Sequence, residues 1–237
     1  MALNAVAILN GVSQTIIVLL GIVYFFKFLI DFIRYKKKMT PLLALLVLSL
    51  GSMHLGGAVD FFMKLILNEN LNYIVYGYLN YIHIPLGMTL AVYIVYKIFE
   101  LKITWVYIGV SAALGIALLV AMIVRPDLMM EILPGQLIDI NIEHVARVFI
   151  TIYFILAAVF LGPIFIKKST ILTENEEEMR KKYIFLGIGW SLWAGGEFLC
   201  SRNIFIAIIP NTIIFAALIL ISHGFTPSKS EIEYSLL

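Results

Sequence analysis

Two histidines, His54 and His83, fall inside long apolar stretches, where an ionisable side chain is costly and usually turns to the interior of a helix bundle. Each shares a helical face with small or polar residues: Gly51, Gly57 and Ala58 around His54, and Tyr76, Asn80 and Gly87 around His83. Two imidazoles facing each other at one depth are what bis-histidine haem ligation needs. Two hydrogen-bonded interior histidines give the same pattern. The expectation is no cofactor and no metal, with haem on His54 and His83 as the alternative.

A second polar set gathers toward the other ends of the same stretches: Asp60, then Glu143, His144 and Arg147, and then Glu197. Trp190, Trp193 and Glu197 stand at i, i+3 and i+7, one helix face, and Pro210-Asn211 is placed to interrupt the last apolar stretch at a similar level. An aromatic face with a carboxylate and a nearby arginine suits a small polar or amphipathic ligand. A carboxylate paired with Arg147, with the tryptophans anchored at an interface, reads equally from the same residues. The expected binding set is His54, Asp60, His83, Arg147, Trp190, Trp193, Glu197 and Asn211.

Catalysis is not expected, because no His-x-x-x-His, His-Glu-x-x-His or Gly-x-Ser-x-Gly run occurs and the glycines form no phosphate loop. A retinal pigment needs a Schiff-base lysine deep in the last span, which has none; Lys64 lies near the end of another.

The elements that must position these residues are membrane spans. A hydrophobic content of 62%, with 14% charged residues, lies far outside the range of soluble domains. The mean hydropathy of +0.99 agrees. Apolar segments at 5–33, 41–67, 73–99, 103–124, 142–167, 180–201 and 204–223 each reach the roughly 20 residues that a helix needs to cross a bilayer. None alternates apolar with polar residues as a barrel strand does. The predicted fold is an all-α, seven-transmembrane-helix bundle over 1–224 with a short cytoplasmic tail at 225–237.

Basic residues set its orientation. Arg34, Lys36, Lys37, Lys38, Lys97, Lys102, Lys167, Lys168, Arg180, Lys181, Lys182 and Lys229 fall on one side, against Lys64, Arg125, Arg147 and Arg202 on the other. The positive-inside rule then places the N-terminus outside, the C-terminus in the cytoplasm and the chain in the cell membrane as a multi-pass protein. The net charge of +2 gives no reason to expect nucleic acid as a partner. The first apolar run has no basic leader and exceeds signal-peptide length, so it reads as a retained helix. The single cysteine, Cys200, excludes an internal disulfide.

Two connections are long enough to hold structure. Residues 125–141 carry Leu128, Ile132 and Leu133 between two prolines, a pattern for a short interfacial helix over the bundle mouth. Thr173-Glu-Asn-Glu176 is a capping box, followed by Glu177 and Glu178 and then by Arg180, Lys181 and Lys182, which suits the helix dipole and i,i+4 pairing. The next span should therefore project into the cytoplasm, with Glu174, Glu177, Arg180 and Lys181 offering a partner-docking face or a solvated one. Pro85, Pro163 and Pro210 each remove a backbone hydrogen bond and permit kinks.

Three local patterns accompany this layout: Gly51-x4-Gly56-Gly57-x3-Phe61, the Asn68-Glu-Asn-Leu71 turn, and Met179-Arg-Lys-Lys-Tyr183 leading into a glycine-rich span. With the topology, they resemble the seven-helix input modules of microbial sensor kinases and the stand-alone seven-helix membrane proteins of archaeal genomes. The resemblance covers the full length and implies a receptor or sensor. It departs in the tail, whose thirteen residues are too few for a kinase, cyclase or methyl-accepting module, so the signal is expected to leave through a separate cytoplasmic protein. The expected function is binding of a small or lipid-like ligand from the outer side and signalling through that partner. A small solute transporter of 3+1+3 type is the alternative, supported by the likeness of Gly51…Gly56-Gly57…Asp60 to Gly189…Gly195-Gly196-Glu197; a haem-binding electron carrier is a second.

Overall fold

The computed structural model describes residues 3–101, 104–124, 130–133, 139–142, 144–173, 176–200 and 208–226, with residues 104, 130–133, 139–142 and 144–147 described for their backbone only. Helices α1 (Ala5–Tyr35), α2 (Thr40–Ser52), α3 (Leu55–Leu67), α4 (Tyr73–Tyr81), α5 (His83–Phe99) and α6 (Thr104–Val124) precede a ribbon of strands β1 (Met130–Leu133) and β2 (Asp139–Ile142). Helix α7 (His144–Leu156), a π-turn (Ala157–Leu161), α8 (Gly162–Ser169), α9 (Glu177–Cys200) and α10 (Ile208–Phe225) follow. Chain neighbours pack against each other, and α10 returns to lie along α1, so the bundle closes on itself.

Five helical stretches are long and apolar enough to cross a membrane: α1, α4–α5, α6, α7–α8 and α10. The bent pair α2–α3 makes a sixth. Helix α9 falls short of that measure; it holds Gly187, Gly189, Gly195, Gly196 and Glu197. The 31 residues of α1 measure about 46 Å, well beyond a hydrocarbon core of about 30 Å.

The distribution of side chains is inverted relative to a water-soluble fold. Val6, Leu9, Val12, Ile16, Leu19, Val23, Phe26, Ile30 and Ile33 form an exposed apolar stripe along α1. His54, Asp60, Asn80, Ser111, Asn211 and Ser222 are buried. A large exposed apolar surface around an apolar core that also admits these polar groups is the arrangement a lipid solvent favours.

Proline explains most departures from straight helix. Pro85 has no N–H for the Tyr81 carbonyl, and the chain breaks between α4 and α5 at Ile82. Pro163 likewise leaves the Val159 carbonyl without its usual partner, and the widened π-turn precedes it. Pro210 is the third residue of the described part of α10, and residues 201–207 before it, where the expected interruption would show, lie outside the described residues.

The 4–5 connection also corrects an expectation. Its described backbone is an antiparallel ribbon, Met130 opposite Ile142 and Leu133 opposite Asp139, and not an interfacial helix. Alternation of polar and apolar residues on both sides of Pro134-Gly135 is a hairpin signal that the apolar stripe at Leu128, Ile132 and Leu133 obscured.

Close backbone approach fixes how α1 meets α2. A Cβ on Gly21 would stand 2.9 Å from Gly51 Cα, and a Cβ on Gly51 would stand 2.8 Å from Gly21 Cα. Both obstacles are backbone, so neither can swing away. Gly51→Ala should therefore lower stability by about 1–3 kcal/mol. Gly109→Ala, where nothing lies within 4 Å, should raise it by about 0.5–1 kcal/mol through helix propensity. Thermal unfolding of the two variants in the same detergent checks this; shifts of the same sign would contradict it.

Candidate functional site

The second span is broken at Met53-His54, with α2 and α3 inclined by 50°. Gly51-Ser52 before the break and Gly56-Gly57 after it are weak helix formers, and such pairs are where kinks settle. His54 occupies the sparsely populated bridge region, φ −105° and ψ 7°, immediately before α3. A break leaves first-turn N–H groups of α3 without partners. Asn80 of α4 supplies one, its Oδ1 accepting from Gly56 N at 2.7 Å. Only glycine fits there, since a Cβ on Gly56 would come within 2.8 Å of Asn80 Oδ1 and 2.5 Å of the Tyr76 carbonyl oxygen.

The His54 side chain leaves the break toward α9. Its Nε2 lies 3.2 Å from Glu197 Oε1, with side-chain exposures of 7% and 11%. The positive end of the α3 dipole favours a carboxylate at this position. Either atom can hold the shared proton, so the contact is an imidazole donating to a carboxylate, an imidazolium–carboxylate pair, or a carboxylic acid donating to imidazole.

Beside this pair a chain of polar contacts runs through α1, α10 and α9. One turn beyond His54, Gly57 lacks the Cβ that would collide with the Gln14 side-chain amide of α1. Gln14 Nε2 donates to Asn10 Oδ1 at 3.3 Å. Asn211 of α10 donates from Nδ2 to the same Asn10 oxygen at 3.2 Å and to Ser13 Oγ at 2.7 Å. The Cys200 thiol of α9 donates to Asn211 Oδ1 at 3.4 Å. Cys200 stands one turn from Glu197 on the same helix.

Other expected site residues have different surroundings. Asp60 is fully buried, and its carboxylate accepts from Leu71 N at 2.7 Å and from Asn70 Nδ2 at 3.4 Å. Lys64 Nζ donates to Asn70 Oδ1 at 3.2 Å, so the pair secures the α3–α4 turn. His83 opens α5 and makes no hydrogen bond among the described residues. The described hydrogen bonds do not join it to His54, whose Nε2 is engaged by Glu197. No group of three or more His, Cys, Asp or Glu side chains able to hold a metal occurs among the described residues.

Trp190 and Trp193 face the bundle interior, 1% and 0% exposed. Trp193 stands edge-on to Phe154 at 5.7 Å and to Trp190 at 5.9 Å. Neither indole nitrogen has a hydrogen-bond partner among the described residues. Glu143 lies outside the described residues, and the side chains of His144 and Arg147 lie outside the described side chains.

At the opposite end of α9 the glutamate half of the capping box forms, with Thr173 N and Oγ1 donating to Glu176 Oε2 at 3.1 and 3.0 Å, while Glu176 N donates to the Thr173 carbonyl at 3.0 Å. Lys181 Nζ meets Glu177 Oε1 at 2.7 Å, one turn apart on an exposed face. The Lys181 hydrogen bond and charge hold the Glu177 carboxyl below its ordinary range. Arg180 is half-buried, and Glu174 lies outside the described residues.

Asn10, Ser13, Gln14, Cys200 and Asn80 were not among the expected site residues. Asn10, Ser13 and Gln14 stand at i, i+3 and i+4 in an otherwise apolar helix, and that spacing was the available signal. Nothing among known protein families, curated proteins or solved structures matches this chain.

The Gln14 amide depends on the space over Gly57. Gly57→Ala should expel the Gln14 amide and lower stability by about 1–3 kcal/mol. Adding Gln14→Ala should return part of the loss, because the displaced group is then gone. Unfolding midpoints of the two single variants and the double variant check this; strict additivity would contradict it.

Proposed function

We propose that the chain is a seven-helix receptor of the cell membrane, N-terminus outside and C-terminus in the cytoplasm, that binds a small or lipid-like ligand from the outer side. The ligand contacts the region around His54, Trp193 and Glu197. The observation that carries this reading is the continuity of α9. Over 24 unbroken residues, about 36 Å, it joins the Glu197–His54 pair to the exposed Glu177–Lys181 face. A ligand that competes for Glu197 alters how α9 sits against α3, and the far end of the same helix presents that change to a cytoplasmic partner. Such a ligand must prefer one packing over the other, since equal affinity shifts nothing.

The broken span and its buried pair favour a second reading. Discontinuous helices with ionisable groups at the break recur at the binding sites of secondary transporters. Uptake into proteoliposomes separates the two.

Native mass spectrometry of protein purified from its own membrane tests the first reading. Wild-type protein should retain a bound molecule that Glu197→Gln loses by at least about tenfold, equivalent to 1.4 kcal/mol. Equal retention by both proteins would remove the site from this region.

A further inference from the structure

We propose that the turn between α5 and α6 carries a surface site for one anionic phospholipid. Lys97, Tyr93, Tyr96 and Trp105 hold its phosphate, and its chains lie along the outer face of α6. The site is separate from the His54–Glu197 region and does not depend on the receptor reading.

The apolar stretch α4–α5 ends at Phe99, so Lys97 stands in its last turn, at the level where a span meets the headgroups. Tyr93 lies one turn before it on the same helix, and Tyr96 directly precedes it. The Lys97 ammonium is 5.6 Å from the Tyr93 ring centre and 5.7 Å from that of Tyr96, so two rings bear on one charge. Across the turn, Trp105 in the first turn of α6 packs on Tyr96 with ring centres 4.7 Å apart. That contact draws the ends of the two helices together and joins the four side chains into one patch.

Each of the four ends in a group that donates: an ammonium, two phenol hydroxyls and an indole N–H. Lys97 is exposed, and Trp105 is 54% exposed. Among the described residues Lys97 forms no ion pair, not even with Glu100, which caps the same helix. Other lysines of the molecule are engaged differently, Lys181 by Glu177 and Lys64 by Asn70. A cation carried on aromatic faces keeps its charge available to the headgroups. A phosphodiester supplies the negative charge and the acceptor oxygens that this set fits. A zwitterionic lipid brings its own cation to the Lys97 ammonium; an anionic one does not.

The surface below the patch selects a phospholipid over free phosphate. Gly109 stands one turn beyond Trp105 on α6, and a Cβ built there would meet nothing within 4 Å. Val106 and Val110 beside it are 59% and 46% exposed. The strip is apolar and open, and it runs from Trp105 toward the depth of the span. Acyl chains lying on it bury apolar surface beneath a phosphate at Lys97, whereas inorganic phosphate gains nothing from it.

Trp190 and Trp193 are buried, which leaves Trp105 as the exposed one of the three tryptophans. The test places the full chain in phosphatidylcholine nanodiscs that contain a minor fraction of brominated phosphatidylglycerol or brominated phosphatidylcholine, and follows quenching of tryptophan fluorescence. Wild-type protein should be quenched by the brominated phosphatidylglycerol at about a fivefold lower mole fraction than by the brominated phosphatidylcholine. Trp105→Phe should lose the difference, which locates the signal. Lys97→Gln should bring the two lipids close to equality. Lys181→Gln, which removes a paired charge at the same end of the bundle, should leave the preference in place. Equal quenching by the two lipids in wild-type protein would overturn the proposal, and that comparison decides the matter if a variant does not fold. An undiminished preference in Lys97→Gln, or equal losses in Lys97→Gln and Lys181→Gln, would overturn it as well. Loss of the wild-type preference on adding inorganic phosphate at constant ionic strength would assign the donors to the free anion and overturn the lipid assignment.

Discussion

The contact between His54 and Glu197 is the constraint on which the rest of the interior depends. A span that breaks by 50° in apolar surroundings exposes backbone groups that lipid cannot satisfy, and it needs partners from other helices. Asn80 provides one for the backbone, and Glu197 provides one for the side chain at the break itself. A buried ionisable pair is a poor device for stability alone, since well-packed apolar residues serve as well or better. Removing only one partner is another matter, typically costing about 3–5 kcal/mol. The pair therefore acts as a tie whose integrity is all or nothing.

Around this tie the bundle adds close backbone approach to its buried apolar core. Gly21 and Gly51 let α1 and α2 meet backbone to backbone. Gly187 brings α9 against α8, where a Cβ would stand 3.0 Å from the Gly162 carbonyl, and Gly189 brings it against α10, 3.1 Å from Ile221 N. In lipid, small residues and polar contacts supply the association that the hydrophobic effect supplies in water. Helix α9 combines both: glycines toward α8 and α10, and Glu197 toward α3. That concentration of contacts on one helix makes it the natural element to connect the two ends of the molecule.

Much of this layout was readable from the chain. Helix positions follow from apolar run length, and Glu176 reaches back to Thr173 N where the capping pattern placed it. His54, Glu197 and Asn211 were singled out because polar groups in apolar spans are costly; His54 and Glu197 pair, and Asn211 ties α10 to α1. What escaped was partnership. Two histidines at similar depth suggested each other, whereas the break turns His54 toward α9, and no one-dimensional pattern records a 50° bend. Asp60 looked like part of a binding set until the α3–α4 turn folded Leu71 N onto it. The triplet Asn10, Ser13 and Gln14 carried a legible spacing, but its meaning came only from α10 lying along α1. The ribbon at 130–142 was missed because short apolar runs read as helix or strand with equal ease.

A double-mutant cycle on His54→Gln and Glu197→Gln, read by unfolding in one detergent, measures the tie directly. If the pair joins α3 to α9, the two substitutions should be strongly non-additive, with a coupling of at least about 1 kcal/mol. Additivity within about 0.5 kcal/mol would show that the two side chains act independently, and the account of the broken span would fail with it.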